Sequence, residues 1–473
     1  MVIYMEKILR QYRVWPGTVL AGKRTRITVT PQDYSSLAEA EYDLYVWPLF
    51  ASREKPAAEP DCTVQTVHGC LCFEHVFSGE GEYFIRIHRK GVPEKAGRIV
   101  QVSVYAVKED LYGLHPMKGD FHAHSCRSDG AEAPGVVAAR FRGAGYDCLA
   151  LTDHNRFFSS LEMQKAFVGT EPGLLLLQGE EVHTPPSKVH IVAVGGRESV
   201  AEKYVKHPAE YAEEIAALEA ELPPEEYRPQ KARALWATRE IHKAGGIALF
   251  CHPYWMSDVY NVPEDLCDFF LRCGWFDAFE LVGGQEGCHG LVHGNDLAQA
   301  RFRAYREEGG RLPAVGNSDT HGTYRDRYDK LFTFNHSYTI LFTREQTPEG
   351  VTDAIREGNC VAVHLYPGET DYHIFGDFRL VSYARYLVEH FFAPRAELLL
   401  AQGLAMEAYL QGDGAPEEIG VSGRPAQRFR ERFFGRMPAP QPPDEVRALA
   451  AEGRQAWEDY GVISRGSAIK MKE

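Results

Sequence analysis

The chain has 473 residues, 44% of them hydrophobic and 25% charged, which excludes a disordered or fibrous chain and predicts two or three folded units. A net charge of −14 gives no general attraction to phosphate backbones, so broad nucleic-acid duplex binding is disfavoured, while a local basic site stays compatible with it. The ten cysteines are scattered without a CxxC pair and read as reduced, mostly buried thiols of a cytoplasmic protein.

The N-terminal stretch MVIYMEKILRQYRVWPG lacks an apolar leader core, and no segment reaches the ~18 apolar residues of a membrane span. Residues 1–112 alternate apolar and polar in RTRITVTP, GEYFIRIHR and RIVQVSVYAV, with turn-rich breaks between, so a β-sandwich-like accessory domain is expected. This region shows no chemical constellation and reads as a packing or dimerisation module.

From about residue 113 to 372 apolar strands alternate with helical stretches. In KARALWATREIHKAGGIALFCHP, Ala234, Ala237, Ile241 and Ala244 form one helical stripe, Gly245-Gly246 stops it, and IALF is a buried strand. About seven such units predict a parallel sheet closed, or nearly closed, into an α/β barrel. EYAEEIAALEAEL reads as an added, mostly solvated helix. Residues 373–473 read as a helical C-terminal extension packing on the barrel or on a partner. The sequence leaves open a homo-oligomer through the N-terminal domain or these helices.

Within the barrel segment, polar residues gather at strand ends. DFHAHSCRSDG carries His122 and His124, and residues i and i+2 of a strand face the same way. Two imidazoles aimed at one point can share a divalent cation. CLALTDHN ends in Asp153-His154, LLLLQGEEVHT in Glu180-Glu181, IALFCHPYW in His252, and LPAVGNSDTH in Asp319-x-His321; SKVHIVAVG begins with His190. In an α/β barrel the C-terminal strand ends meet around one mouth, so most of these residues are expected to converge there.

In their order, HAHSCRSDG, LTDHN, GEE followed by VHIVAVG, CHP and NSDTHG resemble the motifs of the polymerase-and-histidinol-phosphatase (PHP) family, over roughly residues 115–365. The resemblance implies a distorted (β/α)7 barrel holding two or three divalent metal ions, with manganese, zinc and iron the usual ones. Carried over position by position, it implies the ligands His122, His124, Asp129, His154, Glu181, His190, His252, Asp319 and His321. The family's Gly-x-Glu motif selects Glu181 over Glu180. Imidazole and carboxylate suit such borderline ions.

On this reading a hydroxide bridging the metals attacks phosphorus, with Glu181 and Asp319 bridging metals or orienting water. Arg127, Arg156 and Lys188 are the candidate holders of phosphoryl oxygens, and Asp153 is a candidate to orient an imidazole from behind the ligands. His183, Tyr254, His289 and His293 read as loop residues bordering the mouth, and Cys126 and Cys251 as core. The expected function is a metal-dependent phosphoesterase acting on a small phosphorylated metabolite or nucleotide. The alternatives are a metal-dependent hydrolase of a carboxylic ester, amide or carbamate, and a non-catalytic scaffold or binding module.

Overall fold

The computed structural model describes residues 12–32, 37, 39–49, 59–92, 100–187, 189–255, 262–283, 294–323, 334–366, 369–453 and 455. The chain forms two compact units, residues 1–112 with 427–473, and residues 113–426.

In the first unit two sheets share one core. Tyr12–Trp15, Arg24–Pro31 and Leu71–Val76 form one; the other runs in the order Thr18–Leu20, Val100–Val107, Gly81–Arg89, Glu41–Pro48, Cys62–Gln65. Strand alternation builds the core. Tyr83, Ile85 and Ile87 point inward along Gly81–Arg89, and Ile27, Val29, Leu71 and Phe73 meet them from the other sheet. Within the same unit Phe429 packs edge-on against Trp15 at 5.6 Å, and the Gly17 N–H donates to the Phe433 carbonyl at 2.9 Å.

The second unit carries a six-stranded and a five-stranded sheet. The first follows the order Leu175–Leu177, Cys148–Ala150, His115–Asp120, Ser337–Thr343, Cys360–His364, His373–Phe375. The second follows Gly179–His183, His190–Val194, Ile247–Phe250, Ala278–Gly283, Ala314–Asn317. Both are mixed, where strand-helix alternation predicts parallel pairing. His190–Val194 runs antiparallel to both its neighbours, and Ser337–Thr343 antiparallel to His115–Asp120. The first of these departures has a simple cause: only residues 184–189 separate Gly179–His183 from His190–Val194. A parallel crossover needs about a dozen residues.

The helix Arg228–Lys243 buries Ala234, Ala237 and Ile241 as its stripe predicts, and Gly245 adopts φ +85° where the chain turns into the buried strand Ile247–Phe250. The helix Pro208–Glu221 buries only Ile215 and Leu218. No helix among the described residues is long and apolar enough to cross a membrane.

The helices Pro134–Gly143 and Ala393–Gln411 pack together in this unit. Arg142 Nε donates to Gln402 Oε1 at 2.8 Å, and the buried Arg395 guanidinium pairs with Asp147. Close approach rests on glycine. A Cβ on Gly403 would lie 2.6 Å from the Gly143 Cα and 2.7 Å from the Ala139 carbonyl oxygen, whereas a Cβ on Gly143 finds 3.6 Å to the Gly403 Cα. Gly403→Ala is therefore expected to lower stability by about 1–3 kcal/mol through overpacking, in spite of alanine's better helix propensity. Gly143→Ala should be neutral within about 1 kcal/mol. Denaturant unfolding of the two variants checks the asymmetry.

Candidate metal centre

The residues of the mouth are set by backbone pairing that continues past the strands. Beyond His115–Asp120, Ala123 bridges Thr320 in parallel; the Asp319 N–H donates to the His122 carbonyl at 2.8 Å and the His124 N–H to the Thr320 carbonyl at 2.9 Å. The His122-x-His124 and Asp319-x-His321 motifs thus lie side by side. On the other flank the Thr152 N–H donates to the Ala123 carbonyl, and His154 bridges Glu181. At both junctions, segments leaving the six-stranded sheet are hydrogen-bonded to segments of the five-stranded one.

Glu181 lies at the centre, fully buried. Its Oε1 faces His183 Nε2 at 3.4 Å, His190 Nδ1 at 2.9 Å and His252 Nε2 at 3.0 Å. Its Oε2 faces His122 Nε2 at 3.4 Å, His124 Nε2 at 3.5 Å and His154 Nδ1 at 2.6 Å. Asp319 Oδ1 lies 3.3 Å from His122 Nε2 and 3.0 Å from His124 Nε2. Half-exposed Asp129 reaches His154 Nε2 at 3.3 Å and His321 Nε2 at 3.4 Å. All nine positions carried over from the motifs are therefore brought together.

Two further groups belong to this assembly. His183 stacks on His190 with ring centroids 3.5 Å apart, and its Nε2 lies 3.0 Å from His154 Nδ1. It stands two residues after Glu181 on the same strand, the spacing already informative in the other motifs. Glu280, on Ala278–Gly283, accepts from His122 Nδ1 at 3.0 Å and from Asn317 Nδ2 at 2.8 Å. That bond turns His122 Nε2 toward Glu181 and Asp319. Glu280 carries no motif signal beyond being a carboxylate in an apolar strand. Glu180 points the opposite way, as alternation requires, and accepts from Ser199 Oγ and the Val200 N–H at the start of the helix Ala201–Lys206.

Other sequence expectations fall elsewhere. Asp153 accepts from the Ser125 and Ser128 N–H groups and hydroxyls and so shapes the turn that presents Asp129, and the Ser128 hydroxyl lies 3.5 Å from His124 Nδ1. The Arg127 guanidinium donates twice to Glu162, both at 2.8 Å. Arg156 donates to the Asn155 carbonyl at 3.3 Å. Lys188, His289 and His293 lie outside the described residues. Cys251 is buried as expected, whereas Cys126 is exposed because it sits in the turn after His124. Tyr254 borders a small crevice of about 40 Å³ beside the cluster, with His252, Trp255, Asn295 and Asp319.

The donor set fits divalent cations. Among the described residues His122 Nε2 and Glu181 Oε2 are buried beside ionic neighbours but in no well-aligned hydrogen bond, a costly state unless something binds between them. Each of five groups of three or four donors lies within 4.8 Å, among them His124/Asp129/His154/His321, His122/His124/Glu181 and Glu181/His190/His252. Burial disfavours the charged form of Glu181, but His122, His154, His190 and His183 outweigh it and hold its pKa well below the ordinary range. Burial also opposes protonation of His154, yet Glu181 and Asp129 raise its pKa to about 10. For His190 burial wins, pushing its pKa down to about 4. The pocket therefore attracts positive charge, while imidazole rings packed this closely repel one another when all are protonated.

No protein-family model matches the sequence, and comparison with curated proteins finds no significant match. Solved structures similar to the chain include a two-domain protein of Bacteroides vulgatus described as containing a predicted PHP-like metal-dependent phosphoesterase. It shares 20% identity at a TM-score of 0.36, over 53% of this chain and 65% of that protein, so the match spans less than two thirds of its length. A protein of Bifidobacterium adolescentis provisionally described as a metal-dependent phosphoesterase shares 18% identity at a TM-score of 0.31, over 43% of this chain and 87% of its own. An amidohydrolase of Chromobacterium violaceum, solved with sulfate and no metal, shares 21% identity at a TM-score of 0.30, with the same coverage. At such identities none of these carries an activity over to this chain.

Metal binding should release protons. With its pKa raised to about 10, His154 is protonated near neutral pH in the metal-free protein, and a coordinating imidazole must be neutral. Adding Zn²⁺ or Mn²⁺ at pH 7 should therefore acidify a weakly buffered solution, and apparent affinity should fall as pH falls. Calorimetry in buffers of different ionisation enthalpy measures the released protons; a value of zero contradicts the reading.

Proposed function

We propose that this chain is a metal-dependent phosphoesterase of the PHP type, with the two sheets, joined at the mouth, forming its distorted (β/α)7 barrel. The observation that supports it most is Glu181, buried with three imidazoles on each of its oxygens. That geometry suits cations on both sides of one carboxylate. Two or three divalent ions are proposed: His183, His190 and His252 would hold one together with Glu181, His122, His124 and Asp319 another together with Glu181, and Asp129, His154 and His321 a third.

Divalent cations, when bound there, would supply Lewis acidity and a more acidic water. The chain's residues do the positioning. Glu280 fixes the His122 ring, and the Ser125–Gly130 turn, tied by Asp153, holds Asp129 at the open side. His252, Tyr254 and Trp255 offer a wall for the organic part of the substrate. The substrate class proposed is a small phosphorylated metabolite or nucleotide, on the strength of the motif order.

Phosphatase assays with aryl phosphomonoester, phosphodiester and carboxyl-ester substrates test this. Activity should appear with Mn²⁺ or Zn²⁺, vanish with strong chelator and return on metal addition. Asp319→Ala and His252→Ala should lose metal and at least about 100-fold in rate together, with the far-ultraviolet spectrum unchanged. Chelator-insensitive turnover contradicts the proposal, and turnover of the carboxyl ester alone favours ester, amide or carbamate hydrolysis.

A further inference from the structure

A second cavity in the same unit is much larger than the crevice at the histidines. It is an open hollow of about 830 Å³ at the start of the strand Ala314–Asn317, whose other end leads to Asp319. That volume lies within the range of small-molecule sites. One face of the helix Gly294–Glu307 lines it with Phe302, Arg303 and Arg306, and Arg311 follows from the next loop. Phe375 and Phe378 form the facing wall.

The charges around this hollow do not cancel. Of the carboxylates that line it among the described residues, Glu357 is paired with Arg344 at 2.6 Å, while Asp377 keeps its charge and accepts from the Arg379 N–H as the N-cap of the helix Phe378–Leu387, so three arginines face one uncompensated carboxylate. Arg303, Arg306 and Arg311 have no side-chain partner among the described residues. Three exposed arginines thus line one hollow in a chain of net charge −14. Guanidinium forks match phosphate and carboxylate oxygens, and the aromatic wall offers a flat apolar surface. Phe378 is 79% exposed, although it opens a helix that otherwise buries its apolar face. The helix that presents the arginines is anchored by Phe302 stacking on Phe279, centroids 5.6 Å apart and planes within 10°.

We propose that this hollow is a second binding site, separate from the metal centre, for an anionic ligand bearing an aromatic ring, of the class of nucleoside diphosphates. The arginines hold the charged end and Phe378 stacks on the ring.

Calorimetric titration with ADP and with pyrophosphate, in excess EDTA to remove any cation at the histidines, tests it. Both probes should bind the wild-type protein, ADP more tightly, and both should weaken with added salt. Arg303→Ala combined with Arg306→Ala should weaken both at least tenfold. Phe378→Ala should weaken ADP several-fold and leave pyrophosphate unchanged. These side chains are exposed, so the variants should keep the wild-type unfolding midpoint. Absence of saturable binding at about 1 mM, or affinities unchanged in the arginine variant, would overturn the site. An unchanged ADP affinity in Phe378→Ala would overturn its aromatic half.

Discussion

A buried carboxylate surrounded by imidazoles governs the larger unit. Glu181 has no exposure to water and faces six histidine rings drawn from four separate stretches of chain. An isolated charge so placed is costly, and so is a set of closely packed protonated rings. Cations between the carboxylate and neutral imidazoles would remove both costs. His122 Nε2 and Glu181 Oε2 face each other at 3.4 Å, and among the described residues neither makes a well-aligned hydrogen bond.

The backbone is shaped to keep that arrangement. His122-x-His124 and Asp319-x-His321 lie side by side through direct hydrogen bonds, so four donors are fixed relative to one another before side-chain contacts count. His252, Asp319 and Asn155 adopt positive φ of 23°, 47° and 53° without being glycine. Each such residue costs on the order of 1–3 kcal/mol, and two of them present donors while the third follows His154. Asn155 Oδ1 in turn accepts from the His183 N–H at 2.8 Å and from the Tyr204 hydroxyl at 2.6 Å. Three of the six positive-φ non-glycine residues among the described residues thus fall at this centre; His68, Tyr227 and Asn335 lie elsewhere.

Much of this centre is legible in the sequence because strands have a period of two. The rule pairs His122 with His124, and Asp319 with His321; the resemblance's Gly-x-Glu motif, not the period, sets Glu180 aside, and the period applied once more from Glu181 reaches His183. Glu280 and Asn317 were not legible, since a buried polar residue in an apolar strand looks the same whether it serves a neighbour or a ligand. Arg127 and Asp153 sit beside motifs, yet Glu162 and the serines of the turn engage them. Strand direction needed connection length as well as rhythm: six residues before His190 leave room for a hairpin only. The accessory region's alternation was clear, while the membership of residues 427–473 in the same compact unit depends on tertiary contacts that no local pattern announces.

Anomalous diffraction from crystals of the manganese- or zinc-loaded protein tests the central claim most directly. The account predicts peaks on both sides of the Glu181 carboxylate, one beside His122 and His124 and one beside His190 and His252. A map without a peak at Glu181, from protein shown to contain metal, would contradict it.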